Sequence, residues 1–272
     1  IYTSTPSSAA SDVYKRQDLG SIQRPVPVEA QGIVAQLNAL LGRMRATYEA
    51  QAAFVSDAAH QLRNPIAGMR ALGESIQSAG TLESAHARAG ELVSAAAFAG
   101  DLANRLLTLE RARAETGTTG FAEISLDALV SETVSGMRAT AEARGVQLKA
   151  ATVENCKLAV DELMMREALT NLIDNALMHG GPGLSEIRIS LKGTRSSFEL
   201  TVENDGASVD PADIPDILAR FGQIEPGFGS GLGLSIADAV AHRHGGTLVV
   251  HPRAEGFAVT ISLPRADYRP AA

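Results

Sequence analysis

Phe54-Val55-Ser56-Asp57-Ala58-Ala59-His60-Gln61-Leu62-Arg63-Asn64-Pro65 is the stretch on which the reading of this chain turns. Val55, Ala58, Leu62 and Pro65 open an apolar seam that continues through Met69, Leu72 and Ile76. The spacings of three and four put all seven on one face of a long helix. His60 lies off that seam, so its ring faces solvent. Pro65 removes a backbone donor and crowds the turn before it, which predicts a bend. Ser78-Ala79-Gly80-Thr81 reads as a turn. Leu82, Ala85, Ala89, Leu92, Ala96, Ala99, Leu102, Leu106 and Leu109 then mark a second helix to about Arg113. Two antiparallel helices with one apolar face each bury those faces poorly alone. Pairing two copies makes a four-helix bundle, so a homodimer is expected.

Working outward, Ile33, Leu37, Leu40 and Met44 form a coiled-coil seam upstream, in a segment assigned to residues 18–46. Residues 1–17 are polar and patternless, resemble translated sequencing-adaptor sequence, and are set aside as non-native or disordered. The chain opens on Ile1 rather than Met, which points to a fragment. The helical hairpin occupies residues 47–113, and residues 114–120 are a short flexible linker. Residues 121–266 change character. A helical stretch, ISLDALVSETVSGMRATAEARG, precedes strand-like VQLKAAT, and a helix runs from about Asp161 to His179. EIRISLKG and SFELTVEN alternate as a hairpin, Asp205 to Ser230 is a loop rich in Gly, Pro and Asp, and Leu232 to His244 is helical. TLVVHP and FAVTISLP read as a closing hairpin. The expected fold is multidomain: an all-α dimerisation hairpin followed by an α+β sandwich with helices over one face of a mixed sheet.

Composition narrows the classes. A net charge of -7 gives no support to a nucleic-acid partner. Aromatics at 4%, no Trp and abundant Ala favour helices packed through small side chains. Cys156, the single cysteine, cannot form an internal disulfide and reads as a small buried hydrophobe in a reducing compartment. No run approaches the roughly 18–20 consecutive apolar residues that span a bilayer.

The stretch around His60 resembles the phospho-acceptor box of the histidine-kinase family, F-x-x-x-x-S/A-H-E-L-R-T-P. The resemblance implies that His60 accepts a phosphoryl group, since a neutral imidazole can attack with one nitrogen while the other holds its proton. Gln61 departs from the commoner glutamate; its amide oxygen accepts a hydrogen bond but cannot take up a proton. The His-Gln-Leu-Arg form is similar to a branch that includes tricarboxylate-uptake sensors. Asn64 sits where the family positions a water that dephosphorylates a partner regulator, or else is a polar surface residue near a kink. Arg63 is a phosphate contact or a solvated face residue. RPVPVEAQGIVAQLNALLGRM is similar to the second helix of a HAMP relay module, with a generic parallel coiled coil as the alternative. A HAMP module follows a transmembrane helix, so the resemblance places the full-length protein at the inner membrane, through a segment this chain lacks.

Three further segments resemble boxes of the ATP-binding fold that this family shares with gyrase and heat-shock chaperones. Asn171-Leu172-Ile173-Asp174-Asn175-Ala176-Leu177-Met178-His179 resembles the N box, with positions 171, 175 and 179 on one helix face. There Asn175 would give a carbonyl oxygen to Mg²⁺, Asn171 would line the same pocket, and His179 would donate to phosphate. Asn204-Asp205-Gly206-Ala207-Ser208 stands at the G1 box, D-x-G-x-G, with Asn204 at the adenine-reading aspartate and Ser208 for the second glycine. Phe228-Gly229-Ser230-Gly231-Leu232-Gly233-Leu234 matches the G2 box, G-x-G-L-G-L, whose glycines and following helix direct N–H groups at phosphates. Leu218-Ala219-Arg220-Phe221 resembles the F box between them. The resemblance implies ATP and Mg²⁺ as cofactors, His60 as acceptor and a response-regulator aspartate as the next. Two competing readings are a kinase-impaired scaffold or phosphatase, kept open by Gln61, Asn204 and Ser208, and a gyrase-type ATPase. The second usually carries Glu at position 171 to activate water, so Asn171 argues against it.

Overall fold

The computed structural model describes residues 27–114, 120–153, 155–219, 222 and 231–265. The first seam folds as α1, Val28–Gln77. The expected boundary between residues 46 and 47 leaves no break in this helix, and neither does Pro65. Proline there withholds one N–H from the Gln61 carbonyl, and the turns on either side carry the ladder past it. Contacts divide the chain after Asn64 into two units. In the first, Ile33, Leu37, Leu40 and Met44 are exposed along α1.

The second unit holds the end of α1 and α2, Leu82–Ala114. Thr81 starts α2 by accepting the Ser84 N–H on its hydroxyl at 3.2 Å. Arg88 donates to the Ser75 carbonyl at 2.6 Å, tying the two helices at their turn. By length and composition α2 is apolar enough to cross a membrane, with a mean hydropathy of 1.2 over one 18-residue window. Alanine supplies much of that value, so no long run of large apolar residues announces it in the sequence.

Then come β1 (Ala122–Ser125), α3 (Leu126–Glu142), β2 (Gln147–Thr152), β3 (Lys157–Val160) and α4 (Glu162–His179). These lead into β4 (Glu186–Gly193), β5 (Ser197–Asn204), a 3₁₀ turn at Pro211–Asp213 and α5 (Ile214–Leu218). The chain closes with α6 (Gly233–Arg243), β6 (Thr247–Pro252) and β7 (Phe257–Pro264). Among the described residues the main sheet runs β2-β4-β5-β7-β6, with β2 parallel to β4 and every other pair antiparallel.

Alternation makes one face of this sheet apolar. Ile189, Val202, Val259 and Val250 pair across four strands in one row, and Leu191, Leu200, Ile261 and Leu248 in the next. All eight are buried. The opposite face carries Arg188, Glu203 and the hydroxyl pair Thr201–Thr260 at 2.9 Å. α3, α4 and α6 contact the sheet, and α6 packs on α4 and α2. Both α3 and α4 begin at a side-chain cap: Ser125 accepts from Ala128 N–H, and Asp161 accepts from Met164 N–H. β1 and β3 form a separate antiparallel pair that the sequence did not predict. Cys156 is buried as expected, and burial pushes its thiol up.

Candidate nucleotide and phospho-acceptor site

The N-terminal candidates sit on α1. His60, Arg63 and Asn64 are exposed, Gln61 and Leu62 are half-buried, and Phe54 is buried. The alternation follows from helical spacing: His60 is two residues from Ala58 and from Leu62, both on the half-buried face.

The second group is organised by α4. Asn171, Asn175 and His179 form a stripe that rises out of the core: Asn171 is 2% exposed, Asn175 half-buried and His179 exposed at its edge. Met165, Ala168, Leu169, Leu172, Ile173 and Ala176 anchor the helix beneath. The partial burial of His179 holds its imidazole below the ordinary range. The amide nitrogen of Asn171 is buried with no hydrogen-bond partner among the described residues. A buried amide left in that state costs about 1–3 kcal/mol, which makes it a candidate donor to a bound group.

Both glycine boxes close on α4. Gly233 opens α6 against Asn171, and a Cβ at 233 would stand 3.5 Å from the Asn171 carbonyl oxygen. α6 starts without a side-chain cap, which leaves first-turn N–H groups for another acceptor. At the far end of α4, Gly206 lies on the backbone of Gly180: a Cβ there would be 2.0 Å from the Gly180 oxygen. The Ala207 N–H donates to that same oxygen at 2.7 Å. The close approach explains the glycine of the G1 segment by packing as well as by chemistry.

Some candidates take roles other than those expected. The Asp205 carboxylate accepts from the Ser185 N–H and the Glu186 N–H, both at 2.9 Å, and from the Ser185 hydroxyl. Burial alone would raise it, but these bonds hold it below the usual carboxylate range. Its side chain therefore clamps the entry to β4. Leu232 is fully buried, so only its backbone can line the site; its carbonyl accepts from the Ile236 N–H and the Ser235 hydroxyl. Gly231 adopts φ +64, a glycine conformation. Asn204 is 3% exposed, its oxygen accepting from the Gly206 N–H at 3.1 Å and its nitrogen without a hydrogen-bond partner among the described residues. Gly229, like Arg220 and Phe221, lies outside the described residues. No group of three or more metal-binding His, Cys, Asp or Glu occurs among the described residues.

Residues 50–115 match the His Kinase A (phospho-acceptor) domain. Residues 160–267 match the histidine kinase-, DNA gyrase B- and HSP90-like ATPase domain. Over 249 residues the chain is 30% identical to the sensor histidine kinase CusS of Escherichia coli O157:H7, covering 88% of this chain and 50% of that protein. The chain belongs to the bacterial two-component sensor histidine kinases. Within that family it is also 28% identical over 218 residues to the sensor-like histidine kinase SenX3 of Mycobacterium tuberculosis (strain CDC 1551 / Oshkosh), covering 78% of this chain and 53% of that protein. The solved structure of the Acinetobacter baumannii histidine kinase AdeS shares the fold, with a TM-score of 0.64 at 18% identity over 76% of this chain and 98% of that one. The chain spans about half the length of the curated relatives it matches.

Two features of this kinase domain escaped the sequence reading. His244, 8% exposed at the end of α6, accepts the Asp161 N–H on Nε2 at 3.0 Å and donates from Nδ1 to the Val240 carbonyl at 2.7 Å. It stacks on Phe121, with ring centroids 4.6 Å apart, and burial holds its imidazole low. A neutral ring in one tautomer thus joins the end of α6 to the start of α4. His244-Gly245-Gly246 is plain in the sequence, but only a structure shows what the ring touches. Arg105 of α2 pairs with Asp174 of α4 at 3.1 Å, and Arg144 donates to the Leu177 carbonyl nearby.

Proposed function

We propose that this chain is the kinase portion of a sensor histidine kinase that moves the γ-phosphate of ATP onto His60 and then onto an aspartate of a response regulator. Asn64 would position water for the reverse, phosphatase reaction. The observation that carries the reading is the buried, unpartnered amide of Asn171, with Gly233 of the G2 segment packed against its backbone. Asn171, Asn175 and His179 would line the phosphate end, with the backbone of Gly231, Leu232 and Gly233 supplying N–H groups. The Asn175 side-chain oxygen would hold Mg²⁺, whose charge neutralises the phosphates during transfer.

His60 would offer an imidazole nitrogen at the helix surface for attack, and the Gln61 amide oxygen could accept a hydrogen bond from the ring but not take up its proton. Transfer would require the ATP-binding region to meet His60 of the same chain or of a partner. The apolar residues exposed along α1 and α2, among them Leu82, Val93 and Phe98, support a homodimer. In the full-length protein a HAMP-like segment would join this portion to an inner-membrane sensor outside this chain.

Incubation with ATP radiolabelled in its γ-phosphate, with Mg²⁺, tests the reading. Wild type should carry acid-labile, base-stable label, while His60→Gln and Asn175→Ala should carry none. Nucleotide binding without any label on wild type would reject the kinase in favour of a scaffold or phosphatase.

A further inference from the structure

α6 packs along α4 in the opposite direction and is fastened to it at both ends. Gly233, the first residue of α6, stands against Asn171: a Cβ at 233 would be 3.5 Å from the Asn171 carbonyl oxygen. At the other end His244, which closes α6, accepts the Asp161 N–H at the start of α4 on Nε2 at 3.0 Å. At roughly 1.5 Å per residue, α6 is about 16 Å long and the stretch of α4 from Asp161 to Asn171 about 15 Å, so the two fastenings span matching lengths of helix.

The region between the fastenings is apolar. Ile236 and Val240 of α6 and Met165 and Ala168 of α4 are buried. Burial of that kind holds the helices together without direction, whereas a hydrogen bond fixes a position. The His244 ring is itself held: Nδ1 donates to the Val240 carbonyl at 2.7 Å, and Phe121 stacks on its face. Nε2 is therefore a fixed acceptor for Asp161, whose carboxylate in turn accepts the Met164 N–H at 3.1 Å.

Resting on the reading of a nucleotide site, we propose that His244 is a positioning residue for the nucleotide. It acts through Asp161. By fixing where α4 stands along α6, it sets the spacing between the stripe of Asn171, Asn175 and His179 and the first-turn N–H groups of α6, about 15 Å from the ring. A misplacement of about 1 Å at that distance is enough to weaken the hold on a phosphate.

Glutamine and asparagine at position 244 separate this role from packing. Both lose the stack on Phe121. Gln carries its amide oxygen out to the place of Nε2 and can accept the Asp161 N–H, while Asn reaches only the place of Nδ1. The whole chain is titrated calorimetrically with ADP and Mg²⁺, at a temperature where circular dichroism shows each variant folded. His244→Gln should bind within about twofold of wild type and His244→Asn about tenfold more weakly, the loss of one directional bond. Thermal denaturation should show both variants less stable than wild type, so stability and affinity part company. His244→Asn that binds like wild type overturns the inference, and so does His244→Gln weakened as much as His244→Asn.

Wild type alone gives a second test, because coupling between two sites is reciprocal. Saturation with ADP and Mg²⁺ should slow hydrogen exchange at the Asp161 N–H more than at the sheet residues Val250 and Thr260. Equal slowing at all three overturns the inference and leaves the nucleotide site standing. Failure of wild type to bind ADP removes the nucleotide site itself, and the inference with it.

Discussion

The two ends of α2 carry the same pattern and meet opposite fates. At the start, Leu82 of the seam is 73% exposed, and Val93 at 69% and Phe98, beside the seam, are exposed as well. At the end, Leu102, Leu106, Leu109 and Ala112 are buried, where α6 and α4 contact the helix. Periodicity tells which face is apolar, and only the neighbours decide whether that face is covered within one chain. The uncovered end is the surface a second copy would cover; the covered end packs against helices of the ATP-binding region.

Removing the covered end should have the largest effect. Leu109 is fully buried, so Leu109→Ala is expected to cost about 2–5 kcal/mol of stability, the range for cavities left by buried leucines. Val93→Ala should leave the unfolding of a single chain within about 0.5 kcal/mol and instead weaken self-association. Chemical denaturation with sedimentation at several concentrations separates the two. Equal losses at both positions would remove the distinction.

This contrast also marks what could be read in advance. The eight-residue strands β4 and β5 begin and end where alternation placed them, because each has enough residues for the period of two to show. β1 and β3, four residues each, are too short to show a period and were missed. Of the site, the stripe of Asn171, Asn175 and His179 was legible, since helical spacing alone aligns it. The role of Asp205 was not, because Ser185 and Glu186 lie about twenty residues away along the chain and meet it only through the pairing of β4 with β5. Likewise the contact of Gly206 with Gly180 depends on where two elements end in space.

Acid should loosen the covered end of α2 while sparing the other. His244 holds α6 to α4 as a neutral acceptor, and burial places its folded pKa below that of the unfolded chain. A group lowered in this way contributes its stability in full above the unfolded value, and loses it as the pH falls through the folded one. Protonation would turn Nε2 into a donor facing the Asp161 N–H. Protection against hydrogen exchange, taken relative to the intrinsic rate at each pH, is therefore expected to fall in the last turns of α2 and in α6 below about pH 6.5, the unfolded value. The first turns of α2 should not follow. His244→Gln should flatten this pH dependence, and a wild type whose protection is constant from neutral pH into acid would contradict the role given to the ring.

The smallest effect should come from the ion pair that pins the covered end. Asp174 is raised by burial, an effect opposed by Arg105 and by the more distant Arg144 and reinforced by Asp101. The net upward direction means that the ionised carboxylate is a cost which Arg105 only partly offsets. A group raised in the fold gains stability as the pH falls toward its folded value and loses it as the pH rises through that value. The two truncations should therefore be unequal. Arg105→Ala strands a half-buried charge and should cost about 1 kcal/mol near neutral pH, whereas Asp174→Asn removes the same contact and should be nearly neutral. The double variant should recover most of the Arg105→Ala loss. If Asp174→Asn proves the more damaging of the two, the carboxylate is a net stabiliser of the α2–α4 contact, and the covered end of α2 is held by charge as well as by its leucines.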